Sequence, residues 1–138
     1  MRKLVWAAVA ALAAACTQSP AVAPLTGEAL VARGDYLVNG AVLCGDCHTP
    51  RLETGALDET RKLQGGHTGA PPPMADIAPQ LAGIPANFTE EQFVSFLQTG
   101  VRPDGSHPLP PMPPYRLNEE DARAVSAYIA TLPRAEAQ

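Results

Sequence analysis

Cys44-Gly45-Asp46-Cys47-His48 sets two thiols two residues apart and an imidazole directly after the second. Sulfurs so spaced can add across the two vinyl groups of one porphyrin, making thioether bonds. The histidine that follows lies where the same turn can offer its ring to the iron. The pentapeptide therefore reads as a covalent attachment site for one c-type haem, with Cys44 and Cys47 as thioether sites and His48 as proximal ligand. Other uses of Cys-x-x-Cys fit less well. A dithiol redox pair expects a strand–helix–strand setting, which the neighbouring sequence does not supply. A zinc site needs two further ligands at short spacing, and there is no second cysteine pair. A Cys44–Cys47 disulfide would close a cramped loop.

A second axial ligand must come from elsewhere in the chain, and the candidates are Met112, Met74, His67 and His107. Met112 lies in Leu109-Pro110-Pro111-Met112-Pro113-Pro114-Tyr115. Prolines fix φ and reduce the entropy lost when a loop is pinned, which suits a weak thioether ligand. Met112 is the expected ligand. Met74, after Pro71-Pro72-Pro73, is its rival, and His67 and His107 read as ordinary loop histidines. The bland alternative for any lone methionine is flexible core filling. His/Met ligation closes the iron to small molecules and raises its potential, so it suits single-electron transfer. An open sixth site would instead permit peroxide chemistry or gas binding.

Three helices are expected to position these groups. The first runs from Thr26 to about Val38, with Leu30, Val31, Gly34, Leu37 and Val38 on one face and a break at Asn39-Gly40. The second is Glu90 to Thr99. Thr89 and Gln92 can form a capping box, Phe88 can staple onto Phe93, and Gly100 ends the helix. The third is Glu119 to Leu132, capped by Asn118, with Val125, Tyr128, Ile129 and Leu132 as its apolar stripe and Pro133 as its stop. Residues 49–87 show no sustained period beyond a helical turn at Asp58 to Lys62, and no convincing strand appears anywhere. The expected fold class is all-α, three main helices with long loops wrapped around one covalently bound haem. A stretch that long without regular structure needs something to pack on, and a haem edge would serve.

Arg2 and Lys3 precede an apolar run from Leu4 to Ala15, the layout of an export signal and too short to span a membrane. The third cysteine, Cys16, follows Leu12-Ala13-Ala14-Ala15, which resembles the lipobox of bacterial lipoproteins, so Cys16 is expected to carry a lipid. Plain cleavage after Ala15 or Ala23 is the alternative. The expected organisation is a signal at 1–15, a lipid-anchored linker at 16–25, a folded domain at 26–133 and a tail at 134–138. The 138 residues carry a net charge of −4, and loss of Arg2 and Lys3 makes the remainder more negative. No basic face is available for nucleic acid.

Cys44-x-x-Cys47-His48, Met112-Pro113 and the order helix, haem motif, long loop, helix, methionine loop, helix together resemble the class I cytochrome c family over residues 27–133. Ala32-Arg33-Gly34-Asp35-Tyr36-Leu37-Val38 and Met112-Pro113-Pro114-Tyr115 are similar to single-haem domains that serve exported dehydrogenases and respiratory chains. The resemblance implies one haem c, held by Cys44 and Cys47 and ligated by His48 and Met112. It implies terminal helices that cross at a glycine and an aromatic, here Gly34 and Tyr128. It also implies a proline carbonyl that accepts the other ring N–H of the proximal histidine, for which Pro50 stands closer to the motif than usual. The aromatic that the family places four residues before the first cysteine is replaced by Gly40, with Tyr36 further upstream.

The expected function is a one-electron carrier between envelope redox proteins, with a dehydrogenase or terminal oxidase among its partners, rather than an enzyme. It would be exported to the periplasmic side and anchored by lipid on Cys16. A stationary cytochrome subunit of a dehydrogenase complex is the alternative, and a haem enzyme or sensor with an open sixth site a third. An acidic surface would steer it towards a basic patch, with association weakening as salt rises.

Overall fold

A computed structural model describes residues 23–135. The expected export signal and Cys16 lie outside them. Among the described residues, helix α1 spans Gly27–Tyr36, α2 Gly45–His48, α3 Glu90–Thr99 and α4 Glu119–Thr131. The fold is mostly helical, as expected, and α4 is the hub that packs on both α1 and α3.

The α3 boundaries are those read from the sequence, because its end signals are local. Thr89 Oγ1 accepts from the Gln92 amide and the Gln92 side chain accepts from the Thr89 amide. Gly100 closes the helix in the left-handed region at φ 71°. The Phe88 and Phe93 rings meet edge-on with centroids 5.7 Å apart, so the staple forms as predicted. Phe93, Phe96 and Leu97 are buried. Asn118 caps α4 by accepting from the Asp121 amide, and Glu119, Glu120 and Asp121 complement the positive end of the helix. Ala122, Val125 and Ile129 enter the core with Leu37 and Val38.

α1 departs from expectation. Asn39-Gly40 does not break it, and the chain runs on through a π-helical stretch at Leu37–Ala41. The Asn39 amide donates to Asp35 Oδ1 and to the Tyr128 hydroxyl, 3.0 Å away. Those bonds tie the stretch to α1 and α4, and tertiary contact overrides the weak helical propensity of Asn and Gly. Arg33 Nε donates to Asp121 Oδ1 at 2.8 Å and reinforces the same crossing. Gly34 is buried at that crossing beside Ala124 and Tyr128, the glycine and aromatic the resemblance implied. The Tyr36 ring lies against Gly40, one turn further along the same helical stretch, and is itself exposed.

The 49–87 segment is more structured than its sequence suggests. A 3-10 turn forms at Glu59–Arg61 with Asp58 as its cap, close to the turn expected there. Two short strands, β1 at Gly66–His67 and β2 at Ile77–Ala78, pair antiparallel, contrary to the expectation of no strand. Two-residue strands containing glycine leave no alternating pattern to read. Leu63, Leu81 and Ala82 are buried in the helical core. The segment therefore packs in part on the helices and does not depend on a haem edge alone.

Candidate functional site

The haem motif is positioned from both ends. Val42 donates to Leu37 O at 2.7 Å and Cys44 to Val38 O at 3.1 Å, carrying the chain out of the π stretch. Leu43, at φ 57°, turns it into the single turn of α2. His48 and Thr49 then donate to Cys44 O and Gly45 O, each at 3.0 Å. Cys44 and Cys47 are unpaired thiols, so the disulfide reading finds no support here. Burial pushes the Cys44 thiol up to about 11, which keeps it protonated. Among the described residues no group of three or more His, Cys, Asp or Glu is placed to hold a metal ion, so the zinc reading gains no further ligands.

His48 is buried, and desolvation lowers its pKa below the ordinary imidazole value, favouring the neutral ring. Its Nδ1–H donates to the carbonyl of Pro79 at 2.8 Å. That bond fixes the tautomer and leaves Nε2 as the nitrogen with a free lone pair. The proline carbonyl expected near the motif is thus supplied 31 residues downstream by Pro79, not by Pro50. Pro50 O is occupied by the Asp58 amide instead.

His48 and Cys47 share one cleft with Met112. Its other walls are mainly apolar and include Ala75, Ile77, Ala78, Pro108, Leu109 and Pro111. The cleft itself is small, about 70 Å³, below the range of small-molecule sites. Met112 is partly buried against the core and its amide donates to Leu109 O at 3.2 Å. Ala75 donates to Pro110 O at 2.7 Å, joining the Met74 loop to the Met112 loop at the rim. The rivals of Met112 do not line this cleft. Met74 is exposed, the exposed His67 ring pairs with Asp76 at 3.0 Å, and His107 Nδ1 bonds Gly100 O at 3.0 Å.

The donors present fit a covalently held haem. There are two unpaired thiols on one helical turn, a neutral imidazole locked in one tautomer, and a thioether lining the same apolar cleft. Three neighbours were not identified from sequence. Pro79 is too distant in the chain to have been assigned. Arg102 lines the cleft and donates to His107 O at 2.6 Å. The half-buried Tyr115 donates to Val42 O at 3.3 Å. Its phenol is pushed up to about 12, chiefly by burial. Only the Met-Pro-Pro-Tyr run hinted at Tyr115.

Comparison with known proteins agrees with this geometry. The family model described as Cytochrome c matches residues 31–133. The chain is 32% identical over 109 residues to a "Diheme cytochrome c-type" protein of Cereibacter sphaeroides, covering 75% of this chain and 36% of that protein. It is 32% identical over 131 residues to the cytochrome c subunit of a quinone-type alcohol dehydrogenase of Gluconobacter oxydans, covering 85% of this chain and 27% of that one. It is 34% identical over 108 residues to a fructose dehydrogenase cytochrome subunit of Gluconobacter japonicus, covering 73% and 21%. The chain therefore spans little more than a third, or less, of the length of these relatives.

Proposed function

The chain belongs to the cytochrome c family, and we propose on that premise that it is a one-electron relay holding a single haem c with His48 and Met112 as axial ligands. The observation that carries this reading is the shared cleft. His48, with Nδ1 committed to Pro79, and Met112, on its proline-flanked loop, line the same apolar space beside Cys47. A single haem is favoured because this sequence contains one Cys-x-x-Cys-His motif.

When bound, the haem would supply an Fe(II)/Fe(III) couple, and the residues around the cleft have distinct tasks. Cys44 and Cys47 would anchor it. The Pro79 carbonyl orients the His48 ring and raises its basicity as a donor. Met112, held by flanking prolines, would fill the sixth position and favour the reduced state. The buried Ala78 and the other apolar walls of the cleft would raise the cost of uncompensated charge at the iron. Arg102, which lines the cleft, would offer a cation to the haem carboxylates.

A place beside a dehydrogenase is supported by the relatives named as cytochrome subunits of alcohol and fructose dehydrogenases. The rim agrees with it. Segments 68–75 and 107–115 contain no Asp, Glu, Lys or Arg, Leu109 stands 58% exposed among them, and Ile77, just past Asp76, is 59% exposed. Such a rim suits close apolar docking, while the acidic remainder would steer approach over longer range. Export and a lipid on Cys16 are proposed from the signal and the lipobox-like run alone, and would hold the domain on the periplasmic side of the membrane.

The test is the full chain made in cells equipped to mature c-type cytochromes. Mass spectrometry should find one haem per chain, lost on Cys44→Ser/Cys47→Ser. Stoichiometric co-purification with a dehydrogenase supports a fixed subunit, and a free monomer supports a mobile carrier. A colourless protein without added mass would overturn the proposal.

A further inference from the structure

His48 is held through a buried backbone clasp whose centre is Leu63. Leu63 is fully buried and sits at φ 57°, a left-handed conformation that any residue with a Cβ disfavours. Such a conformation persists where its surroundings over-determine it. Here Thr49 Oγ1 accepts from the Leu63 amide at 3.1 Å. The Leu63 carbonyl accepts from Leu81 at 2.9 Å and from Ala82 at 3.0 Å. Thr49, Leu81 and Ala82 are themselves buried.

Both ends of the clasp meet at the proximal histidine. Thr49 directly follows His48. Leu81 and Ala82 follow Pro79, whose carbonyl takes the His48 Nδ1–H. Proline has no amide N–H of its own to anchor it, so the setting of its carbonyl depends on its neighbours: Ala78 before it, paired with Gly66, and Leu81 and Ala82 after it. A second strut acts alongside. Gly65 donates to His48 O at 2.8 Å. A Cβ on Gly65 would stand 3.0 Å from Ala78 O and from Gln80 N, so the 65 and 78–80 backbones are in direct contact.

We propose that Thr49 is a positioning residue: through Leu63 its hydroxyl fixes the Pro79 carbonyl against His48 and so helps set the reduction potential of the iron. This rests on the reading of His48 as axial ligand. The sign follows from ligand chemistry. A firm hydrogen bond at Nδ1–H makes the imidazole a stronger donor and favours Fe(III). Loosening the clasp therefore raises the potential.

The test compares Thr49→Val, which keeps the shape and removes the oxygen, with Thr49→Ser, which keeps the oxygen, in matured holoprotein. Thr49→Val should raise the ferrous-to-ferric ratio at fixed ambient potential severalfold, tenfold corresponding to ~59 mV for one electron. Thr49→Ser should stay near wild type. A fully haem-loaded Thr49→Val at the wild-type potential overturns the proposal, as does an equal shift in both variants.

Amide exchange in the unmutated holoprotein gives a second reading that holds even where Thr49→Val fails to mature. By linkage, a clasp that favours Fe(III) must itself be firmer in the ferric state. Measured against the buried amides of α3 and α4, which report the redox dependence of the whole fold, the Leu63, Leu81 and Ala82 amides should then be slowed more in ferric than in ferrous protein, and a redox dependence equal to that of the helices overturns the proposal. Failure of the underlying ligand assignment looks different. In that case His48→Ala would keep the wild-type optical spectrum.

Discussion

Gly34 lies against the backbone of Ala124 with no room between them for a methyl group. A Cβ on residue 34 would stand 2.6 Å from the Ala124 carbonyl carbon and 2.7 Å from Tyr128 Cβ. The obstacle on the first count is main chain of another helix, which cannot swing aside as a long side chain can. The α1–α4 crossing is thus set by the absence of a side chain at one position.

Gly34→Ala should therefore destabilise the holoprotein, although alanine is the better helix former by about 1 kcal/mol. Overpacking at a rigid crossing costs about 1–3 kcal/mol beyond that gain. Urea unfolding should show a lower midpoint with an unchanged slope. A midpoint at or above wild type would mean that the helices part freely.

Met112→Ala should abolish the thioether-to-iron charge-transfer band of the oxidised protein. Met74→Ala, His67→Ala and His107→Ala should keep it, because those side chains lie outside the cleft that His48 lines. Optical spectra of the four variants check this. Loss of the band in His107→Ala with retention in Met112→Ala would reverse the ligand assignment.

Tyr115 makes stability depend on alkaline pH. Its folded pKa of about 12 lies above the ordinary phenol value of 10.0, chiefly because of burial. The folded protein thus holds this proton more tightly than the unfolded chain. The stabilisation is complete below pH 10 and is lost as pH rises towards 12. Denaturant midpoints measured across that window should fall more steeply for wild type than for Tyr115→Phe. Parallel curves would show that the phenol does not report on folding.

Thr89→Ala removes the capping box of α3 and should cost about 1 kcal/mol in holoprotein stability. The spectrum of the haem should not change, since Thr89 is exposed and does not line the cleft. Thr89→Ser should restore most of the loss in the same melt.

What could be read from the chain divides by range. The Cys44–His48 motif, the Thr89 and Asn118 caps and the left-handed Gly100 are local signals, and each falls where the sequence places it. Gly34 and Tyr128 are 94 positions apart in the numbering, yet the resemblance identified them, because a family pattern carries tertiary information. Pro79 escaped, since nothing near it in sequence refers to His48. Leu63 escaped for a related reason: a left-handed leucine is held by hydrogen bonds from residues 14 positions before it and 18 and 19 after it. Asn39-Gly40 misled, because the Asn39 bond to Tyr128 exists only once α4 has docked.

The π stretch from Leu37 to Ala41 makes the aim of Cys44 a matter of counting. Each residue turns an α-helix by about 100° and a π-helix by somewhat less, so one amino acid fewer there would swing the following thiol to another side of the axis. An insertion or deletion of a single codon would misdirect the sulfur while every residue named in the motif stayed in place.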